Sequence, residues 1–182
     1  MLDDFLEAAR DALGGIDVLV NNAATWILHD DEAAWQTILN LDVMAAVRAV
    51  WKVVPWMKET GGGAIVHVSS IAGLEGGWPA SYAAAKAALI SHSKTMAIDL
   101  APAKIRINTV TPGCIEFPGG AWEKVKQTDR PTYDSYLNTI PWGRMGKAEE
   151  VADAVVFLAS DRASWITGAC LTMDGGQHKG NF

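Results

Sequence analysis

The chain has 182 residues, 49% hydrophobic and 20% charged, with a net charge of −6 and an isoelectric point near 5.1. That composition suits one globular domain with a substantial core, and an acidic balance without a lysine or arginine run gives no attraction to nucleic acid or an anionic membrane. Cys114 and Cys170 belong to no CxxC pair and read as reduced thiols, and His29, His67, His92 and His178 are scattered, so neither a disulfide framework nor a metal site is expected.

Residues 3–13 carry Phe5, Leu6, Ala9 and Leu13 at helical spacing, and Gly14 and Gly15 end the pattern. The acidic residues in this helix are unlike a signal peptide, and no apolar run reaches the roughly 18 residues of a membrane span, so the cytoplasm is the expected compartment. The apolar run IDVLVNNAA follows and predicts a buried parallel strand over 16–22 that ends in two asparagines.

A helix is predicted from Asp30 to about Glu59, with an acidic first turn, a kink near Pro55 and the glycines 61–63 as its stop. GAIVHVSS is the second strand, 80–100 a helix with Pro102 beyond it, KIRINTVTPG the third strand, 147–159 a helix and GACLTMDGG the fourth strand. Strands alternating with helices predict an α/β fold, a doubly wound parallel sheet of three layers joined by right-handed βαβ connections. The segment from Cys114 to Lys147, rich in proline and glycine, is too long for a simple connection and reads as a lid or binding loop over about 114–147.

Sites in such sheets form beyond the carboxyl ends of the strands, which directs attention to Asn21–Ala24, Ser69, Ser70 and Thr111–Ile115. In SSIAGLEGGWPASYAAAK, Tyr82 and Lys86 stand four residues apart at the start of a helix and so share a face, and Ser70 precedes Tyr82 by twelve residues at the end of a strand. Together these residues make a polar cluster on one edge of the sheet. Trp78, Trp122 and Trp142 fall in or beside the crevice loops, whereas Trp35 and Trp51 read as core.

The set resembles the short-chain dehydrogenases/reductases. NNAA is similar to the family's NNAG strand end, Ser70 with YAAAK to its serine and Tyr-x-x-x-Lys pair, Asn40 in ILNLDV to its helix asparagine, TPGCI to its Pro-Gly turn, and ITGACLTMDGG to its last strand. The resemblance runs through essentially the whole chain and implies a Rossmann-like single domain that moves hydride between NAD or NADP and a small carbonyl or alcohol substrate. A 3-oxoacyl thioester is one such substrate.

The resemblance further implies the roles. Tyr82 is the acid/base, Lys86 lowers its pKa and holds ribose hydroxyls, Ser70 donates to the substrate oxygen, and Asn40 anchors a water that links Lys86 to solvent. Asn22 and Ala23 line the cofactor ribose, while Pro112, Gly113 and Ile115 contact its nicotinamide side. A homo-oligomer, tetramer or dimer, assembled through the helices over 30–59 and 80–100, is implied as well.

The sequence departs from the family in three places. No glycine-rich turn opens a helix before IDVLVNN, which leaves NAD and NADP undistinguished and predicts that the sequence is part of a longer protein. Ala24 replaces the last glycine of NNAG, and Phe117 stands where a threonine near the cofactor phosphates is common. A catalytically silent oligomerisation scaffold and a ligand-binding module with half a cofactor site are the alternatives these departures keep open.

Overall fold

The computed structural model describes residues 1–180. Its helices are α1 (Leu2–Leu13), α2 (Glu32–Ile38), α3 (Ala45–Thr60), α4 (Ala80–Leu100), α5 (Ala121–Thr128), α6 (Arg130–Leu137) and α7 (Ala148–Ala159). Its strands are β1 (Val18–Asn21), β2 (Gly63–Val68), β3 (Ile105–Pro112) and β4 (Cys170–Met173). They form one parallel sheet in the order β1-β2-β3-β4, so every strand delivers its carboxyl end to the same edge.

Alternation along the strands builds two cores. Ile65 and Ile107 point to one face, where they meet Val50, Val53 and Met57 of α3, Ala97 and Leu100 of α4, and Leu6 of α1. Val66 and Val110 point to the other, against Leu158 of α7 and Ala163. The result is the expected three-layer α/β sandwich. β1 lies at the sheet edge, with Val18 and Val20 exposed.

Polar groups lock the layers together. Arg106 of β3 donates to the carbonyls of Leu158, Ala159 and Ser160, the last turn of α7 and its cap, where a cation also meets the negative end of the helix dipole. Asn108, fully buried in β3, donates to Ile166 O and accepts from Ala169 N, which fixes the loop leading into β4.

Three expectations need correction. The helix predicted over 30–59 is interrupted: α2 and α3 are separated by a π-helical turn, Leu39–Met44, while Pro55 lies within α3. A π turn carries one extra residue and such turns recur at functional sites. The segment 114–147 is not irregular throughout, because α5 and α6 fold within it around a small core of Cys114, Trp122, Tyr133, Ile140 and Met145. Trp78 and Trp122 pack on Tyr136 with ring centroids 5.4 and 4.8 Å apart, so they stiffen this segment. Trp142 is exposed, and Trp51, read as core, is 62% exposed on α3. Among the described residues no helix is long and apolar enough to cross a membrane.

Candidate active site

The cluster forms where the end of β2 meets the start of α4. Ser69 Oγ donates to Lys86 O at 2.7 Å and so ties the strand end to the helix backbone. Ser70 opens a short 3₁₀ turn, Ile71–Gly73, and its Oγ accepts from Ala72 N at 3.1 Å. That turn lies directly on α4: a Cβ at Gly73 would come within 2.7 Å of Lys86 C and 2.8 Å of Ala87 N, so no larger residue lets Ser70 reach the helix. Glycine is needed here for close approach, not for a positive φ.

The helix then presents Tyr82 and Lys86 on one face, as the spacing predicts. Lys86 Nζ lies 5.4 Å from the centre of the Tyr82 ring and donates to Val68 O at 3.3 Å. Although Lys86 is only 2% exposed, its ammonium is compensated by Asp42 Oδ2 at 3.6 Å, a carboxylate that is itself 1% exposed. A buried ion pair of this kind survives only where further hydrogen bonds support it. Thr25 provides them, its N and Oγ1 both donating to Asp42 Oδ1 at 2.8 and 2.9 Å.

Asn40 is not part of this cluster. It is exposed on the outer side of the π turn, where its Oδ1 accepts from Arg48 at 3.0 Å. The buried stripe runs Ala34, Ile38, Asp42, Ala46, Val50, in steps of four residues, and Asn40 sits half a turn away from it. The signal was in the sequence: Asp42 is the single charged residue on that otherwise apolar stripe. Trp26 was missed as well. It follows the NNAA segment and meets the Tyr82 ring edge-on with centroids 5.9 Å apart.

Burial dominates the electrostatics of the pair. Burial pushes the Tyr82 phenol above its ordinary value; Ser70, bonded to the phenol, pulls it down, while the negative charge of Asp42 pushes it further up. Lys86 is lowered by burial and partly restored by Asp42.

The remaining candidates flank this cluster. Asn22 and Ala23 line, with Asn21 and Asp42, a crevice of about 200 Å³ at the end of β1. Pro112 closes β3, and Gly113 donates to Met173 O at 3.0 Å. A Cβ on Gly113 would fall 2.7 Å from Gln177 Oε1, so this turn too depends on close approach. Ile115 bridges to Gly146 and lines a second hollow of about 200 Å³ with Trp142, Arg144 and Asp174. Tyr82 is among the walls of neither hollow.

Histidine is more organised than its scatter in sequence suggests. His67, at the centre of the sheet, contacts Asn21 Nδ2 through Nδ1 and His92 Nδ1 through Nε2, each at 3.1 Å. Burial, with His92 and Lys86 nearby, pushes its pKa down to about 3, so it is a neutral spacer beside Lys86. Among the described residues no group of histidine, cysteine, aspartate and glutamate could hold a metal ion.

A parallel α/β sheet with serine, tyrosine and lysine gathered at its carboxyl edge defines a Rossmann-like oxidoreductase scaffold. The sequence model of the family described as enoyl-(acyl carrier protein) reductase matches residues 1–178. The chain is 39% identical over 180 residues to the 3-oxoacyl-(acyl-carrier-protein) reductase FabG of Thermotoga maritima, covering 96% of this chain and 71% of that protein. It is also 39% identical over 179 residues to the trans-4-hydroxycyclohexanecarboxylate dehydrogenase of Sinomonas cyclohexanicum, covering 96% of this chain and 65% of the relative. Among solved structures, ElxO with NADP bound superimposes with a TM-score of 0.90 at 28% identity, covering 97% of this chain and 73% of that one. The chain belongs to the short-chain dehydrogenase/reductase family of oxidoreductases.

Proposed function

We propose that this site catalyses reversible hydride transfer between a nicotinamide dinucleotide, NAD or NADP, and a ketone or secondary alcohol, with Tyr82 as the general acid/base. The observation that carries the reading is the convergence of Ser70, Tyr82 and a buried Lys86 ammonium where β2 ends and α4 begins.

The residues suit a polyhydroxylated cofactor. Lys86 donates to Val68 O and faces Asp42 Oδ2 at 3.6 Å, which leaves it an N–H for a ribose hydroxyl. Lys86, Asn22 and Ala23 would hold the ribose, and Pro112, Gly113 and Ile115 the nicotinamide side. When bound, the nicotinamide supplies or accepts the hydride. Tyr82 then gives the proton to the substrate oxygen in reduction and takes it back in oxidation. Ser70 donates to that oxygen as its negative charge grows, and α5 and α6 cover the substrate and exclude water.

The kinship with FabG makes a 3-oxoacyl thioester a substrate to test among ketones. α3 and α4 are the faces we assign to self-association, since exposed Trp51 on α3 and Ile98 on α4 offer apolar area.

Titration of NADH and of NADPH into the purified chain, followed by nicotinamide fluorescence, tests the reading. Saturable binding of at least one dinucleotide, with its consumption on adding a member of a ketone panel, is expected. Failure of both to bind contradicts it.

A further inference from the structure

After Met173 ends β4, Asp174 folds the chain back on itself: its Oδ1 accepts from Gly176 N at 2.9 Å and its Oδ2 from His178 N at 2.5 Å. Gln177 lies on this turn, one residue beyond the last segment that carries the family resemblance. Its side chain reaches just past the end of β3 and is 5% exposed. There Oε1 accepts from Cys114 N at 3.0 Å, while Nε2 donates to Cys114 Sγ at 3.2 Å and to Thr139 Oγ1 at 3.0 Å. Both N–H groups and the carbonyl of a buried amide are thus in use.

Those partners belong to two different parts of the site. Thr139 follows α6 and donates to Tyr136 O at 2.6 Å, and the Tyr136 ring carries Trp78 and Trp122. Cys114 belongs to the turn after β3, which is also held by Gly113 N donating to Met173 O, Gly146 N to Cys114 O and Glu116 N to Gly146 O, at 3.0, 2.9 and 2.9 Å. Between Cys114 and Glu116, the N–H and C=O of Ile115 take no hydrogen-bond partner among the described residues. The turn is pinned around a residue whose backbone is open to a ligand.

We propose that Gln177 is a positioning residue of this site: its amide sets the turn that carries Ile115 toward the nicotinamide side and ties that turn to the end of α6. The role toward the dinucleotide rests on the hydride-transfer reading above; the tie between the turn and α6 does not. Cys114 N is buried with Gln177 Oε1 as its acceptor, and a buried N–H left without one costs the desolvation of the group. Loss of the amide therefore shifts the turn, and Ile115, the next residue, moves with it.

Residue-resolved amide hydrogen exchange of the dinucleotide-free chain tests the turn. Gln177→Met keeps the length of the side chain and removes its amide. Cys114 N–H is expected to exchange about tenfold faster, the scale of one buried hydrogen bond, with the amides of β2 unchanged. Unchanged protection of Cys114 overturns the proposal. Thr139→Val keeps both bonds to Cys114, so Cys114 is expected to stay protected while Asn138 and Ile140 exchange faster. No change at those two amides refutes the tie to α6.

Dinucleotide binding then separates positioning from general loss of structure. By nicotinamide fluorescence, Gln177→Met is expected to weaken NADH or NADPH, whichever binds the parent, about tenfold. By calorimetry it is expected to leave the affinity for ADP-ribose, which has no nicotinamide, unchanged. Equal weakening of both ligands, or of neither, overturns the role toward the nicotinamide. Gln177→Asn, whose amide stands one methylene short, replaces Gln177→Met in both measurements should that variant fail to fold. A parent that binds neither dinucleotide refutes the hydride-transfer reading, and the exchange of Cys114 still decides whether Gln177 sets the turn.

Discussion

Tyr82→Phe is expected to cut ketone turnover by about 10²- to 10⁴-fold, the usual worth of a positioned proton donor, with dinucleotide binding nearly unchanged. The substitution removes one oxygen and little else. The ring keeps its edge-on contact with Trp26 and its place under the Lys86 ammonium, so the site retains its shape. Because burial already disfavours the phenolate, the hydroxyl leaves no buried charge uncompensated when it is lost. Steady-state kinetics with a thermal melt separates the outcomes: a melting temperature close to that of the parent with turnover nearly gone is the expected pair. Turnover within tenfold of the parent would place the acid elsewhere.

Ser70→Ala is expected to lower kcat by about 10²- to 10³-fold, the cost of losing one donor to a developing oxyanion. Ser70 also caps the Ile71–Gly73 turn through Ala72 N, and loss of a cap costs about 1 kcal/mol. The two effects are separable because the first appears in kcat and the second only in stability. Ser70→Thr retains both the hydroxyl and the cap and should recover part of the rate. A Ser70→Ala enzyme with a lower melting temperature and normal kcat would reduce the serine to a turn residue.

How far this site can be read from the sequence depends on which physical signal each part leaves. α4 spans Ala80–Leu100, as its pattern and Pro102 predict, and a regular helix turns the four-residue spacing of Tyr82 and Lys86 into a shared face without further information. The parallel sheet is equally legible, since apolar strands alternating with helices leave few other arrangements. The motif points to Asn40, which the fold places outside the cluster. The asparagine of ILNLDV lies on the exposed side of the π turn, while the buried stripe through Ile38 and Ala46 carries Asp42.

The π turn itself has no simple sequence signature, because it reflects tertiary packing more than local propensity. The two helices within 114–147 leave a weak signal for a related reason. α5 and α6 are eight residues each, too short for a strong periodic signal, and they are held by a tryptophan and tyrosine cluster that forms only on folding. Spacing places an ammonium beside a phenol, but only the fold reveals the carboxylate that answers it.

Hydride transfer at this site is tested most directly by following the hydrogen. Ketone reduction with dinucleotide carrying deuterium on both faces of nicotinamide C4, with the product analysed by mass spectrometry and NMR, should place one deuterium on the new carbinol carbon and none on its oxygen after exchange. With Tyr82→Phe the labelled product should form about 10²- to 10⁴-fold more slowly. Product bearing solvent hydrogen at that carbon, or no reduction with either deuterated dinucleotide across the ketone panel, would contradict the assignment of Ser70, Tyr82 and Lys86 to hydride-transfer chemistry.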